Sequence, residues 1–228
     1  VVANFTEDGS PISLADALDI AKDGTIYFSD ATRFVATSSE NILFASTVET
    51  VAAVGSGRVL KYDPLSKKTS VLMKDLCFSN GILLAEDESY FLVTETGKYR
   101  IWKHWLKGEK AGTSEIFVEN LPGMPDNIAR DANGDLWVAL YQERHAYTDF
   151  IMSSKLLRFL LLKILPSVPI KPSITVILKL HSNGTIADTF VDATGRFAST
   201  THGILRNNKL YLGSLHNDFI GVLDLDKL

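Results

Sequence analysis

Residues 80–95, NGILLAEDESYFLVTE, contain a pattern that returns three more times along the chain. A short apolar run comes first, then a turn rich in Asp, Glu, Asn or Gly, then a second run that contains an aromatic residue. Such turn residues tolerate positive φ and the flanking runs have the length of strands, so the pattern predicts a β-hairpin. The matching stretches are DALDIAKDGTIYFSD (16–30), DNIARDANGDLWVAL (126–140) and THGILRNNKLYLGSL (201–215).

Each hairpin is followed by further runs of strand length. The added runs are GRVLKYD and KTSVLM, YRIWKHWL and SEIFVEN, SITVILKLH and IADTFV, and finally FIGVLDL alone. Repeated units of four strands are typical of propeller blades. An antiparallel sandwich also has short strands and turns, but it has no reason to repeat an aromatic residue in each second strand. We therefore predict an all-β fold in which residues 1–228 form a single, partial β-propeller domain of about four blades.

The segment 141–173 interrupts the repeat. It contains a run of Leu, Lys and Arg that predicts an apolar, cationic helix over about 151–165, ended by Pro166 and Pro169. This helix is too short to span a bilayer. We favour a helical insert that packs over one end of the barrel as a lid, and leave peripheral membrane contact open as the alternative.

The bulk composition narrows the class of protein. With 46% hydrophobic and 22% charged residues, the chain reads as globular. A net charge of −4 argues against a nucleic-acid partner, which would require a basic face. The single cysteine, Cys77, excludes an internal disulfide and is expected to be a buried small hydrophobe.

Features of the N-terminus and two sequons bear on processing. The chain starts without Met and shows no signal peptide, which predicts a fragment or a mature form. Sequons at Asn4 (NFT) and Asn183 (NGT) predict glycosylation. They are weak support for the secretory pathway, with the vacuole or the endoplasmic reticulum as destinations.

Oxygen-bearing side chains occupy one repeated place at the start of the inner strands. Asp16, Asn80 and Asp126 each lie seven positions before a turn residue, and Asn127 is next to Asp126. The first strand of each blade lines the central channel, so these side chains are expected to converge. Carboxylate and amide oxygens suit Ca²⁺, which takes roughly six to eight oxygen ligands, whereas zinc prefers His and Cys. Capping of turns by Asp and Asn explains the pattern equally well.

Residues 77–140 resemble the strictosidine synthase-like proteins of plants and their animal relatives, the adipocyte plasma membrane-associated proteins. The stretches GRVLKYDPLSKKTSVLMKDL (57–76) and KLYLGSLHNDFIGVLDL (209–225) fit the same family. The resemblance covers nearly the whole chain and fades around 31–54, which looks shortened or scrambled, and in the 141–173 insert. It implies a six-bladed propeller whose first two blades are missing from this N-terminus.

The same resemblance extends to the paraoxonases and gluconolactonases, which are calcium-dependent hydrolases. It implies a Ca²⁺ site to which an NGI motif contributes Asn80 and a DNI motif contributes Asp126 and Asn127. Asp16 stands where those enzymes have an Asn ligand, a change that still offers an oxygen. Their Glu ligand from the first blade would lie in the missing part.

The last hairpin bears on catalysis. In strictosidine synthase itself, a Glu at the start of the last blade's inner strand handles the proton of the condensing amine, and the matching place here falls at Thr201. A Thr cannot act as a general base at neutral pH, which argues against condensation of tryptamine with secologanin. His202, beside it, is the candidate base that would deprotonate water, although a purely structural His is the more frequent case. Asp19 is a weaker candidate.

These observations lead to three hypotheses. We favour a calcium-dependent hydrolase of ester or lactone bonds that acts on a small-molecule substrate. The alternative is a strictosidine synthase-type lyase of alkaloid biosynthesis. The third hypothesis is a non-catalytic, membrane-associated propeller.

Overall fold

The computed structural model describes residues 2–34, 39–165 and 174–227 and arranges the strands in four antiparallel sheets. The first sheet contains β1 (Ala15–Ile20), β2 (Ile26–Asp30), β3 (Gly57–Asp63) and β4 (Lys68–Leu76). The second contains β5 (Ser79–Leu84), β6 (Tyr90–Glu95), β7 (Arg100–Trp105) and β8 (Ser114–Val118). The third contains β9 (Gly123–Arg130), β10 (Leu136–Glu143), β11 (Thr175–Leu180) and β12 (Ile186–Asp192). The fourth contains β13 (Thr200–Arg206), β14 (Lys209–Ser214) and β15 (Gly221–Asp224).

The strands of each sheet follow one another in chain order, as they do in propeller blades. All four predicted hairpins are present, as the pairs β1–β2, β5–β6, β9–β10 and β13–β14. The first strands of successive sheets contact one another, β1 with β5, β5 with β9 and β9 with β13. These four inner strands therefore line the axis of a partial propeller, and the predicted fold class is confirmed.

Apolar side chains fill the spaces between neighbouring blades. The predicted second-strand aromatics Tyr27, Phe91 and Trp137 are buried there, and the rings of Tyr27 and Phe91 lie 5.9 Å apart. Full burial of one such side chain stabilises the fold by about 1.5–3 kcal/mol. Tyr211, the corresponding aromatic of the fourth blade, is 41% exposed. Its neighbour Leu210 packs towards the third blade, and successive residues of a strand point to opposite faces.

Helices are inserted at two places. The helix α1 (Ser39–Ala52) connects β2 to β3 in the region where the sequence indicated only a shortened or scrambled segment. Between β10 and β11 lie α2 (Ala146–Ser153) and α3 (Lys155–Ile164), so the predicted insert contains two helices where one was expected. The break falls at Ser154, whose side-chain oxygen accepts a hydrogen bond from the Leu157 N–H (3.4 Å) and caps α3. Helix α3 packs against both α1 and α2, and Pro166 and Pro169 lie outside the described residues.

Candidate metal centre and active site

Asn80 brings an unpaired oxygen atom to the start of β5. The residue is 4% exposed, and its Nδ2 donates a hydrogen bond to Thr96 Oγ1 at 3.4 Å. Its Oδ1 is buried and has no hydrogen-bond partner within the described part of the chain. Because a buried polar atom without a partner costs about 1–3 kcal/mol, the Asn80 Oδ1 atom is a candidate ligand for a cation.

Two carboxyl groups lie near this amide. Asp126 on β9 is 7% exposed, and burial raises the pKa of its carboxyl group well above the usual range. The negative charge of Asp16 raises the pKa of Asp126 further, while the side chains of Asn80 and Asn127 lower it. Asp16 on β1 remains accessible to water, but the surrounding protein removes enough solvent to raise the pKa of its carboxyl group to about 6. The first and third inner strands therefore bring two like charges into one site.

Asn127 fixes the Asp126 carboxyl group and links two blades. Its Nδ2 donates hydrogen bonds to Asp126 Oδ1 (2.9 Å) and to the backbone carbonyl of Thr201 (3.1 Å). Its Oδ1 consequently lies on the opposite side of the amide from these two acceptors. The predicted ring of Asp16, Asn80, Asp126 and Asn127 thus appears as a set of neighbours drawn from three inner strands.

The backbones of β5 and β9 approach each other closely behind this set. A Cβ atom at Gly81 would lie 2.7 Å from the Asn127 Cα and 2.7 Å from the Asp126 backbone oxygen. The Thr96 hydroxyl, which binds Asn80, also donates to the Pro125 carbonyl at 2.7 Å. The glycine of the NGI motif is therefore required by the close approach of two strands that carry the candidate ligands.

The start of β13 supplies the two predicted catalytic residues. Thr201 meets the site through its backbone carbonyl, which accepts the hydrogen bond of Asn127. His202 is half-buried, and burial lowers the pKa of its imidazole, so the ring is neutral near pH 7 and able to accept a proton. Among the described residues, none forms a hydrogen bond with either ring nitrogen of His202. A base at His202 stays a prediction, and the contact that links Thr201 to the candidate ligands is the bond from Asn127 to its backbone carbonyl.

Tyr141 is a site residue that the sequence analysis missed. Its hydroxyl group is buried, burial raises its pKa, and the negative charge of Asp126 raises that pKa further. The phenol therefore stays protonated at neutral pH close to the candidate ligands. Tyr141 directly follows the third hairpin motif and is the first residue of the predicted insert. The signal that could have located it is the run of strand-forming residues LWVAL, which continues directly into Tyr141 in the sequence.

The donor set is suited to a hard cation. It consists of two carboxylates and two amides. The set has only two acidic side chains, and residues 2–34, 39–165 and 174–227 contain no cluster of three or more His, Cys, Asp or Glu side chains that could hold a metal. No Lys or Arg from these ranges is among the charges that act on Asp16 or Asp126. A divalent cation would neutralise the two carboxylates and satisfy the Asn80 Oδ1 atom, so the residues fit Ca²⁺.

The remaining predicted residues lie elsewhere. Asp19 Oδ2 accepts a hydrogen bond from the Leu84 N–H (2.8 Å) and ties β1 to β5, which makes this weaker candidate a structural residue. Cys77 is buried as predicted, and burial raises the pKa of its thiol to about 12, which leaves no nucleophilic thiolate. The sequon residues Asn4 and Asn183 are exposed, as a glycan requires, and their glycosylation stays a prediction.

Comparison with known proteins now identifies the class. Four successive blades whose inner strands contact one another define a partial β-propeller, a fold that the chain shares with solved gluconolactonase structures. A gluconolactonase from Xanthomonas campestris superposes with a TM-score of 0.59 at 16% identity over 93% of this chain and 57% of that chain. Regucalcin from Agrobacterium tumefaciens, a calcium-binding protein, gives a TM-score of 0.53 at 13% identity over 90% and 55%. At these identities the likeness concerns the fold alone.

The relationship by sequence is more specific. Residues 16–109 match the family model described as strictosidine synthase. The chain is 35% identical to strictosidine synthase-like protein 3 of Arabidopsis thaliana and 32% identical to the adipocyte plasma membrane-associated protein of Danio rerio, in each case over 96% of its own length. The resemblance is thereby confirmed, and this chain is a relative of the strictosidine synthase-like proteins. It spans 56% and 54% of those two proteins, a little over half of their length.

Proposed function

We propose that the protein acts as a calcium-dependent hydrolase of ester or lactone bonds. The observation that carries the proposal is the buried, unpartnered Oδ1 atom of Asn80 beside the carboxyl groups of Asp16 and Asp126. Asn127, which holds Asp126, completes the proposed metal site. The shared fold with a gluconolactonase and with calcium-binding regucalcin supports this assignment.

The chemistry can be divided among the residues of the site. A bound Ca²⁺ supplies polarisation of the substrate carbonyl and stabilisation of the negative charge that develops on its oxygen. His202, neutral near pH 7, accepts the proton of the attacking water. Tyr141, whose raised pKa keeps its hydroxyl group protonated, lies close enough to Asp126 for that charge to act on it. Thr201 holds Asn127, and through it Asp126, in position.

Removal of calcium is expected to lower the hydrolysis of a phenyl ester or a simple lactone by about 100-fold or more, because the substrate carbonyl loses its polarising cation. Initial rates in EGTA, and again after addition of excess CaCl₂ or MgCl₂, measure this dependence. Asn80→Ala is expected to reproduce the loss in the presence of calcium, whereas Asn183→Ala, at an exposed turn, is the control. Rates indifferent to both the chelator and Asn80→Ala reject the proposal.

The lyase alternative has less support at this site. The place of the condensing Glu is occupied by Thr201, whose carbonyl is engaged by Asn127. A Thr hydroxyl has no basicity at neutral pH that could remove the proton of an amine. The hydrolase is therefore the better match to the residues present.

Peripheral membrane association is the second candidate function, and helix α3 supports it. One stripe of α3 is exposed, and its residues follow the spacing of a single helix face. No helix among the described residues is long and apolar enough to cross a membrane. An apolar stripe with one lysine at its edge and one within it suits the surface of an anionic bilayer. The stripe contains Leu156 (65% exposed), Phe159 (54%), Leu160 (49%) and Ile164 (57%), with Lys155 and Lys163.

The name of one relative and the exposure of two sequons support an association with membranes of the secretory pathway. One relative carries the name adipocyte plasma membrane-associated protein. Asn4 and Asn183 are both exposed sequon residues. From these two observations we propose that the protein enters the secretory pathway and resides in the vacuole or the endoplasmic reticulum.

Charging the exposed stripe is expected to weaken binding to anionic vesicles at least about 10-fold, because acidic side chains are repelled by the lipid headgroups and cannot enter the interface. The double variant Phe159→Glu and Leu160→Glu is compared with wild type by sedimentation with phosphatidylcholine vesicles that contain phosphatidylserine. Leu65→Glu is the matched control, since Leu65 is 93% exposed in the β3–β4 turn. Equal sedimentation of wild type with purely zwitterionic vesicles, or of the double variant with anionic vesicles, contradicts the proposal.

A further inference from the structure

Helix α1 contributes one buried carboxylate, Glu49, to the segment that precedes β5. The Glu49 residue is 0% exposed. Its Oε1 accepts hydrogen bonds from the backbone N–H groups of Phe78 (3.1 Å) and Ser56 (3.0 Å), and its Oε2 accepts one from Ser56 Oγ (2.9 Å). Glu49 therefore connects the segment before β3 with the segment before β5.

Phe78 has a backbone conformation that needs support from its surroundings. Its φ of 60° lies in the left-handed region, which is unfavourable for a bulky residue with a Cβ atom. The four backbone N–H and C=O groups of Cys77 and Phe78 are all bound, three of them by residues at the end of β6 and one by Glu49. The three partners are Glu95 Oε1 for the Cys77 N–H (2.8 Å), the Gly97 N–H for the Cys77 carbonyl (3.0 Å) and the Thr96 N–H for the Phe78 carbonyl (3.1 Å).

The bond from Glu49 differs from these three because its acceptor lies outside the second blade. Glu95 is the last residue of β6, Thr96 and Gly97 follow it directly, and all three therefore belong to the same blade as β5. Glu49 belongs to a helix inserted in the first blade, and that helix packs against α3. The helical layer therefore holds the chain just before Asn80 at the Phe78 N–H, and the Cys77 Sγ–H adds a weak bond to the Glu49 backbone carbonyl at 3.8 Å.

We infer that Glu49 is a positioning residue for Asn80 and that it connects the helical layer to the candidate calcium site. The inference rests on the proposed function. The backbone conformation of Phe78 sets the direction in which the chain enters β5, and this direction determines where the Asn80 Oδ1 atom points. Glu49 binds Phe78 from outside the first two strands of the second blade, so a displacement of α1 is transmitted to the candidate ligand through its carboxylate.

Removing this carboxylate is expected to weaken calcium binding by about 10-fold or more, the size typical of residues that orient a metal ligand. Titration calorimetry with CaCl₂ alone measures the affinity of wild type and of Glu49→Ala. Glu49→Gln is expected to recover most of it, because the amide keeps an acceptor oxygen for the Phe78 N–H. Ser46→Ala on the same helix, which loses only a hydrogen bond to the Leu43 carbonyl, is the control and should bind as wild type does.

Amide hydrogen exchange in EGTA supplies a readout that does not depend on metal. Glu49→Ala should speed exchange over residues 78–82 and leave residues 123–128, the matching start of β9, unchanged. Wild type that binds calcium, together with Glu49→Ala that binds it equally well, overturns the positioning role and leaves the calcium site standing. Wild type that binds no calcium overturns the metal part of both proposals, and unchanged exchange over 78–82 then also rejects Glu49 as the group that holds Phe78.

Discussion

Replacing Asp126 with Asn is expected to stabilise the calcium-free protein at pH 7 and at the same time to remove its calcium binding. Burial and the charge of Asp16 raise the pKa of Asp126, which means that the folded state disfavours the carboxylate form. Asn has nearly the same shape and no charge, so the free energy of unfolding should rise by about 1–3 kcal/mol. The same change removes an anionic oxygen ligand, and calcium affinity should fall by about 100-fold or more.

The pH dependence has a definite sign. A carboxyl group with a raised folded-state pKa contributes stability that is present below its unfolded pKa, about 4, and lost as the pH rises through the folded pKa. For Asp16 this window runs from about 4 to about 6, and Asp126 extends it upwards. Calcium-free wild type should therefore lose more stability above pH 4 than Asp126→Asn does. Burial lowers the pKa values of His104 and His202, which act in the opposite direction and cancel when the two proteins are compared.

Urea unfolding in EGTA at pH 5 and pH 7, with calcium titration at pH 7, measures both effects of Asp126→Asn. The control is Asp188→Asn, which removes an exposed carboxylate on β12 and should change stability by less than about 0.5 kcal/mol. A destabilised calcium-free variant contradicts the conclusion that the folded state disfavours the Asp126 carboxylate, and an unchanged calcium affinity shows that Asp126 is not a metal ligand.

Gly81→Ala is expected to damage the same site through the backbone. The new methyl group would lie 2.7 Å from the Asn127 Cα, 2.7 Å from the Asp126 oxygen and 3.0 Å from the Ile128 nitrogen. All three are backbone atoms, so β5 and β9 must separate, at a cost of about 1–3 kcal/mol in the free energy of unfolding. The same separation moves Asn80 away from Asp126, and calcium affinity should fall with it.

The fourth blade provides a matched control for this substitution. Gly203 follows His202 in an HGI sequence just as Gly81 follows Asn80 in NGI. A Cβ atom at Gly203 would meet only side-chain methyl groups, the nearest at 3.4 Å, so Gly203→Ala should be tolerated much better. Urea unfolding and calcium titration of both variants test the comparison. Equal stability and equal calcium affinity of Gly81→Ala and wild type contradict the close approach of β5 and β9.

Local patterns were sufficient for the blades because each hairpin is encoded within about fifteen residues. The turn chemistry around Asp23, Asp87 and Asn133 fixed the hairpins, and counting back from each turn located Asp16, Asn80 and Asp126. The α1 region offered no such repeat, and its helix was missed. The insert was expected as one helix, because the side-chain oxygen of Ser154 that starts a new helix looks like any other serine in the sequence.

The polar environment of the site depended on distant parts of the chain. The bonds of Glu49 to the Phe78 N–H, of Asn127 to the Thr201 carbonyl and of Asp19 to the Leu84 N–H join residues 29, 74 and 65 positions apart. No local pattern reports such pairs.

The amino-acid order alone therefore gave the repeated blades, their inner strands and the oxygen-bearing residues that start them, because hairpins are built from short-range turn and alternation rules. The packing of blade against blade determined whether those oxygens have hydrogen-bond partners, carry a charge or are held in place. Burial and the approach of other strands determine which polar atoms keep a partner, and both arise only once distant segments meet.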